Sequence, residues 1–201
     1  MYRNKVIDLE TTKLTLSNVG YYIGKPTNGE QVILDGIQNL NFSKFLVTEY
    51  SIYNEVSNSP RIDFLIKTNS DRFLFTEMNG IQHFVYTPEF HNSKDEYLQQ
   101  QKNFYNKQMY CKNKGIVGVN INILISGNDY VKNSLVRKAY KDLIEQSIYK
   151  NAIEKSIMHN KIVNVNIQQK NALFLYTKCN NFTIDSYMKN MILNPDYKIE
   201  L

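Results

Sequence analysis

A mixed α/β domain with a central sheet is predicted from three features of this 201-residue chain. The first is Thr27-Asn28-Gly29-Glu30, a capping-box pattern followed by Ile33, Leu34, Ile37 and Leu40 at helical spacing. The second is a pair of short apolar runs, Arg61–Lys67 and Arg72–Glu77, on either side of the turn-like Thr68-Asn69-Ser70-Asp71. The third is a polar helix over 93–113 that meets Lys112-Asn113-Lys114-Gly115, a helix stop, and gives way to the alternating run Ile116–Ile123. With a strand over 45–52, the order becomes helix, three strands, helix, strand. That order suits a mixed sheet flanked by helices.

The elements follow in chain order. Residues 1–26 hold short alternating stretches such as Lys5-Val6-Ile7-Asp8-Leu9 and form a β-rich lead-in. The helix over 28–40 is weakened slightly by Gly36. Ser57-Asn58-Ser59-Pro60 is a loop, and so is the stretch over 85–93. On the helix over 93–113, Tyr97, Gln100 or Gln101, Phe104 and Met109 make a loose stripe. A long helical region over 129–160 draws its apolar face from Val131, Leu135, Tyr140, Leu143, Ile148 and Ile153. Strands over 162–167 and 172–176 and a short helix over 183–191 complete the chain. The expected organisation is a lead-in over 1–26, an α/β core over 27–128 and a helical and β extension over 129–201, packed on the core.

Composition narrows the function. The formal charge of +5 suits a polyanionic partner without requiring one, because the basic residues are scattered. Cys111 and Cys179 are the only cysteines, and there is no CxxC. Structural zinc and a disulfide framework are therefore not expected, and a reducing compartment is. The N-terminal residues lack the apolar core of a signal peptide, and no apolar run is long enough to span a bilayer. A cytoplasmic protein with no membrane partner is expected. Usage rich in Asn, Lys, Ile and Tyr without Trp suggests an AT-rich coding sequence, as in a low-GC bacterium, a phage or a mobile element.

Chemistry concentrates around Asp63 and Glu77. A hairpin at Thr68–Asp71 places the two carboxylates on neighbouring strands, near Gln82 and His83. Carboxylate oxygens are natural ligands for Mg²⁺ or Mn²⁺, and a nearby Gln or His can orient a water. On a regular strand Gln82 and His83 face opposite sides, so one of them reaches the site. Gln82 is favoured if a bulge at Gly80 brings it round. Glu30 has two compatible roles, capping its own helix and supplying a third carboxylate. His91 and His159 read as surface residues, and Cys111 as a small buried hydrophobe. Tyr97, Phe104 and Tyr110 read as packing, and Lys132, Arg137, Lys138 and Lys141 as a solvated helix face.

These residues carry a resemblance. Thr27-x-x-Glu30, then Arg61-x-Asp63-Phe64, then Glu77-x-Asn79-Gly80-x-Gln82-His83-Phe84, then Tyr110-Cys111 before Gly115-Ile116, together resemble the PD-(D/E)XK, or restriction-endonuclease-like, nuclease superfamily. The similarity is greatest to its phage and homing-type branch, related to very-short-patch repair endonucleases, and covers about residues 27–123. It implies a restriction-endonuclease-like core and Mg²⁺- or Mn²⁺-dependent hydrolysis of DNA phosphodiesters. It implies Asp63 and Glu77 as metal ligands, Glu30 as a third acidic group, and Gln82 or His83 near the place of the motif lysine. Double-stranded DNA is the implied partner. A homodimer or a larger nucleoprotein assembly is expected where both strands are cut.

The departures are specific. Asn79 stands where the branch has an acidic residue, Phe104 where its later helix has an aspartate, and no Lys lies two residues after Glu77. Gln100 and Lys107, around Phe104, still match. Two other readings therefore stay open: a catalytically decayed DNA-binding or protein-interaction module, and a nuclease subunit that acts only within a transposon or phage assembly.

Overall fold

The computed structural model describes residues 32–33, 36–37, 43–51, 61–68, 72–125, 134–169 and 183–201. The lead-in over 1–26, Glu30 and the strand expected over 172–176 lie outside these residues. Val32-Ile33 and Gly36-Ile37 are helical, within the span expected for the first helix. The strands are β1 (Ser43–Ser51), β2 (Arg61–Thr68), β3 (Phe73–Asn79), β4 (Val117–Leu124), β5 (Ile162–Gln168) and β6 (Tyr197–Glu200). The helices are α1 (Lys94–Asn113), α2 (Ser134–Glu145), α3 (Ile148–His159) and α4 (Thr183–Leu193).

The described strands form one mixed sheet in the order β1-β2-β3-β4-β5-β6. β1, β2 and β3 run antiparallel as a meander, and β3 to β6 run parallel. A parallel neighbour requires a crossover, and α1 supplies it between β3 and β4. Ser93 caps α1 by accepting from the Glu96 N–H at 3.1 Å, while the Glu96 carboxylate reaches back to the Asn92 N–H at 2.7 Å. The far end closes where Ile116 N–H donates to the Cys111 carbonyl at 2.8 Å. Gly115 sits there at φ +67, a left-handed position that suits glycine.

Each face of the sheet is covered. Strand alternation sends Leu74, Thr76 and Met78 to one side of β3, and Phe75, Glu77 and Asn79 to the other. The first side packs Ile33, Ile37, Phe64, Val119, Ile121 and Val165 against Leu143, Tyr149 and Ile153 of α2 and α3. The Tyr149 hydroxyl is buried there, 2.6 Å from the Thr76 hydroxyl. The second side lies under α1 and α4, with Leu65, Phe75, Cys111 and Ile116 in one cluster and Phe104, Leu124, Met188 and Ile192 in another.

Three elements differ from expectation. The helical region over 129–160 breaks after Glu145, at a turn in which Ser147 takes φ 58. An unbroken helix of that length runs to roughly 48 Å, well beyond a seven-residue strand of about 23 Å. Two short helices keep both apolar faces on the sheet. The second difference is β6, four residues that the sequence did not announce. Its entry is fixed by Asp196, whose carboxylate accepts from the Asn164 N–H at 3.0 Å and pairs with Lys155 at 2.9 Å and Lys161 at 2.7 Å. Burial pushes the Asp196 carboxyl up, but these partners outweigh it and the net shift is downward. The third is β3, which ends at Asn79 instead of running on through a bulge. Gly80 leads into a 3₁₀ turn over Ile81–His83. No described helix is long and apolar enough to cross a membrane.

Candidate active site

The hairpin register carries the site. Phe64 pairs with Thr76 and Leu65 with Phe75, so the same register sets Asp63 opposite Glu77 on the α1 side. The side chains are tied across the gap between the strands. Asp63 Oδ2 accepts from the Met78 N–H at 2.7 Å, and Glu77 Oε1 accepts from the Asp63 N–H at 3.2 Å. Glu77 is almost fully buried. A carboxylate there needs a counter-charge, and it comes from α1. Lys107 Nζ donates to Glu77 Oε2 and, at 2.7 Å, to the Arg61 carbonyl. Burial works against the charged lysine, but Glu77 and Asp63 together outweigh it and its pKa rises. The result is a buried ammonium bonded to Glu77 and the Arg61 carbonyl, with the Asp63 charge also favouring it.

The sequence marks Lys107 only as a match beside Phe104 and not as a candidate site residue. The signal that could have found it is its spacing on α1. Phe104, Lys107 and Cys111 fall at i, i+3 and i+7, all on the buried face. A lysine on an apolar stripe requires a partner, and the partners are carboxylates 30 and 44 residues upstream. Gln101 and Gln108 share that face, whereas Met109, placed on the stripe from sequence, is only half-buried.

Gln82 and His83 sit on the 3₁₀ turn, not on a strand. The Gln82 carboxamide folds over Gly80, where a side chain at that position would collide with it. The His83 ring lies 6.2 Å from the Phe104 ring, and its Nδ1 is buried with no hydrogen bond among the described residues. Burial first, then Lys107 and His91, push its pKa down from 6.5 to about 3. The shift favours the neutral ring near neutral pH, and so weakens His83 as a proton acceptor. His91, expected at the surface, is buried. Its Nε2 lies 2.6 Å from Gln100 Oε1, its Nδ1 accepts from the Thr87 N–H at 3.2 Å, and Tyr86 and Tyr97 flank its ring. His159, Arg137, Lys138 and Lys141 are exposed, as expected.

The low pKa of His83 has a measurable consequence. Between about 6.5 and about 3 the unfolded chain binds a proton that the folded chain excludes. Stability therefore falls as pH drops through that window, by up to about 1.4 kcal/mol per pH unit. His83→Phe keeps a ring against Phe104 and removes the titration. In urea unfolding at pH 7 and pH 5, the wild type should lose about 2 kcal/mol more than the variant. Equal losses would contradict a buried neutral His83.

Carboxylate oxygens are the donor type a hard divalent cation takes, and here they already accept from the Asp63 and Met78 N–H groups and Lys107. Among the described residues no three His, Cys, Asp or Glu side chains gather, so the carboxylates number two. Mg²⁺ commonly takes one or two carboxylates and completes its shell with water and phosphate oxygens. Asp63 and Glu77 would hold it. No protein-family model, curated protein or solved structure matches the chain.

Proposed function

We propose that the chain is a metal-dependent endonuclease of restriction-endonuclease-like type, which hydrolyses phosphodiester bonds of double-stranded DNA. The observation that carries this reading is the arrangement of Asp63 and Glu77 across a hairpin with the Lys107 ammonium between them and α1. A cation held there would supply a Lewis acid for a phosphate oxygen and lower the pKa of a bound water. Lys107 can donate to a non-bridging phosphate oxygen, the task the motif lysine performs in the nucleases this sequence resembles. It does so from α1, which answers the missing lysine after Glu77. Gln82, on the turn beyond β3, would orient water in this reading. The order of a helical segment, a three-stranded meander, a crossover helix and a parallel strand supports the same assignment. The formal charge of +5 favours phosphate contacts, so affinity should fall with salt.

One observation favours the second reading, a decayed binding module. Lys107 already neutralises Glu77, and Phe104 rather than an acidic residue packs beside it. Plasmid nicking separates the two. With Mg²⁺ or Mn²⁺, the wild type should nick supercoiled DNA, and Asp63→Ala should lose at least roughly 100-fold in rate, the scale of one positioned catalytic group. If neither nicks but both bind duplex DNA equally, the module reading holds. Absence of cleavage and of binding at low salt would end both.

A further inference from the structure

The sheet face under α1 and α4 carries two rows of carboxamides, buried apart from the half-buried Asn164. In one, Asn120 exchanges hydrogen bonds with Gln108 of α1 at 3.2 Å and donates to Asn164 at 3.0 Å. The other runs the width of three parallel strands, with Asn79, Asn122 and Asn166 in register. Asn79 Nδ2 donates to Asn122 Oδ1 at 3.1 Å, and Asn122 Nδ2 donates to Asn166 Oδ1 at 3.0 Å. Asn166 Nδ2 donates to the Ile192 carbonyl, near the end of α4, at 3.0 Å. All three asparagines are fully buried.

This row has a direction that chemistry fixes. The Ile192 carbonyl only accepts, so Asn166 must present its NH₂ there and its oxygen to Asn122. Asn122 must then turn its NH₂ to Asn166, and Asn79 its NH₂ to Asn122. No amide in the row can flip without setting oxygen against oxygen or NH₂ against NH₂. The row therefore ends at β3 in an oxygen. Asn79 Oδ1 is buried and accepts no hydrogen bond among the described residues. Asn79 follows Glu77 on the same face of β3. Its Nδ2 is turned to β4, and the Asp63 and Glu77 carboxylates of β2 and β3 share this face of the sheet.

A buried acceptor calls for a donor. The adjacent carboxylates of Glu77 and Asp63 are themselves acceptors, and Lys107 Nζ is drawn to Glu77 and the Arg61 carbonyl. A hydrated divalent cation brings donors of the right kind, since water on a dication donates strongly. We propose that Asn79 Oδ1 is a built outer-sphere acceptor for a water on a cation held by Asp63 and Glu77. Asn122 and Asn166 are positioning residues that aim it, anchored on α4. This rests on the cation-site reading of the carboxylate pair.

The test measures metal binding and side-chain resonances in the full chain, without DNA. In ¹⁵N-labelled wild type, saturating Mg²⁺ should shift the Asn79 Nδ2 protons, because a donor at Oδ1 polarises the amide. Calorimetry with Mn²⁺ should show Asn79→Leu and Asn122→Leu weakened roughly 10-fold, the scale of a lost outer-shell partner. Asn79→Asp should bind at least as tightly as wild type. A structural role alone would lower the melting temperature of the metal-free variants and leave Mn²⁺ affinity within about twofold. That result overturns the proposal. So does an Asn79 resonance unmoved by Mg²⁺ in the wild type, which needs no variant to fold. If Asp63→Ala loses Mn²⁺ and Asn79→Leu does not, the cation site stands and the outer-sphere role falls. If the wild type binds no Mn²⁺ at millimolar concentration, both fall.

Discussion

Lys107→Met should lower the stability of the metal-free protein by roughly 3–5 kcal/mol, the usual cost of leaving one member of a buried ion pair without the other. Methionine keeps most of the side-chain volume, so the loss reports charge more than packing. Glu77 is almost fully buried and Asp63 faces it across the hairpin, so two carboxylates lose the ammonium that compensates them. The direction of the lysine shift gives a second signature. Its pKa is raised, so its contribution is complete below the ordinary lysine value and is lost as pH rises through the higher folded value. Adding Glu77→Gln to Lys107→Met removes a stranded charge, and the double variant should regain a substantial part of the loss. Divalent metal should do the same in the single variant, so Mn²⁺ should raise its melting temperature more than it raises that of wild type. Urea unfolding checks the first claim. A loss under about 1 kcal/mol would mean that the pair is solvated in solution.

That pair shows where the sequence could and could not be read. Asp63 and Glu77 were legible because a hairpin register is local. Once Thr68–Asp71 is a turn, alternation alone sets the two carboxylates on one face. The helix of Lys107 was legible too, as a polar stretch over 93–113 that meets the Gly115 stop. That this lysine faces inward was far less legible, marked only by its spacing with Phe104 and Cys111. Its burial depends on groups brought over by tertiary packing, and a single lysine on a polar helix reads as solvated. His91 misled in the same way. A lone histidine defaults to the surface, and only the folded turn sets it between Tyr86 and Tyr97.

The asparagines of β4 and β5 are a subtler case. Val119-Asn120-Ile121-Asn122 and Val163-Asn164-Val165-Asn166 alternate, the pattern of a strand with one wet face. Every residue of β4 is buried instead. α1 and α4 cover the polar face, and the amides satisfy one another across the strands. Alternation gave the strand and its two faces correctly. It could not say that the polar face was covered, because the covering helices come from distant parts of the chain. The 3₁₀ turn after Asn79 was hidden for a different reason. Gly80 has φ −69 and ψ 169, which any residue can adopt, so no backbone strain marks the turn, and the Gln82 carboxamide over it lies at the end of a flexible side chain.

Gly118→Ala should have the largest effect of any single methyl added at a described glycine. Gly118 lies opposite Phe75 in the parallel pairing of β4 with β3. A Cβ there would run into the Phe75 carbonyl oxygen, and would also lie 2.8 Å from its carbonyl carbon and 2.7 Å from its ring Cγ. Two of these three atoms are backbone in the middle of the sheet, so no rotamer relieves the contact and β3 must move away from β4. Overpacking a rigid site typically costs about 1–3 kcal/mol, and a collision with sheet backbone belongs at or above the top of that range. The gain from replacing a strand glycine by alanine, about 0.5–1 kcal/mol, does not offset it. Gly36→Ala meets chiefly the flexible end of Ile144, which can turn aside, and Gly115→Ala meets nothing within 4 Å. For Gly115 the cost is that of a left-handed alanine, about 1–2 kcal/mol. Urea unfolding should therefore place Gly118→Ala well below both. The damage should also reach the site, because Phe75 is two residues before Glu77 on the same face of β3. A shift of β3 there parts Glu77 from Lys107 and from the Asp63 N–H, so Mn²⁺ affinity should fall together with stability. A Gly118→Ala protein within about 0.5 kcal/mol of wild type would mean that β3 and β4 yield more readily than their pairing implies.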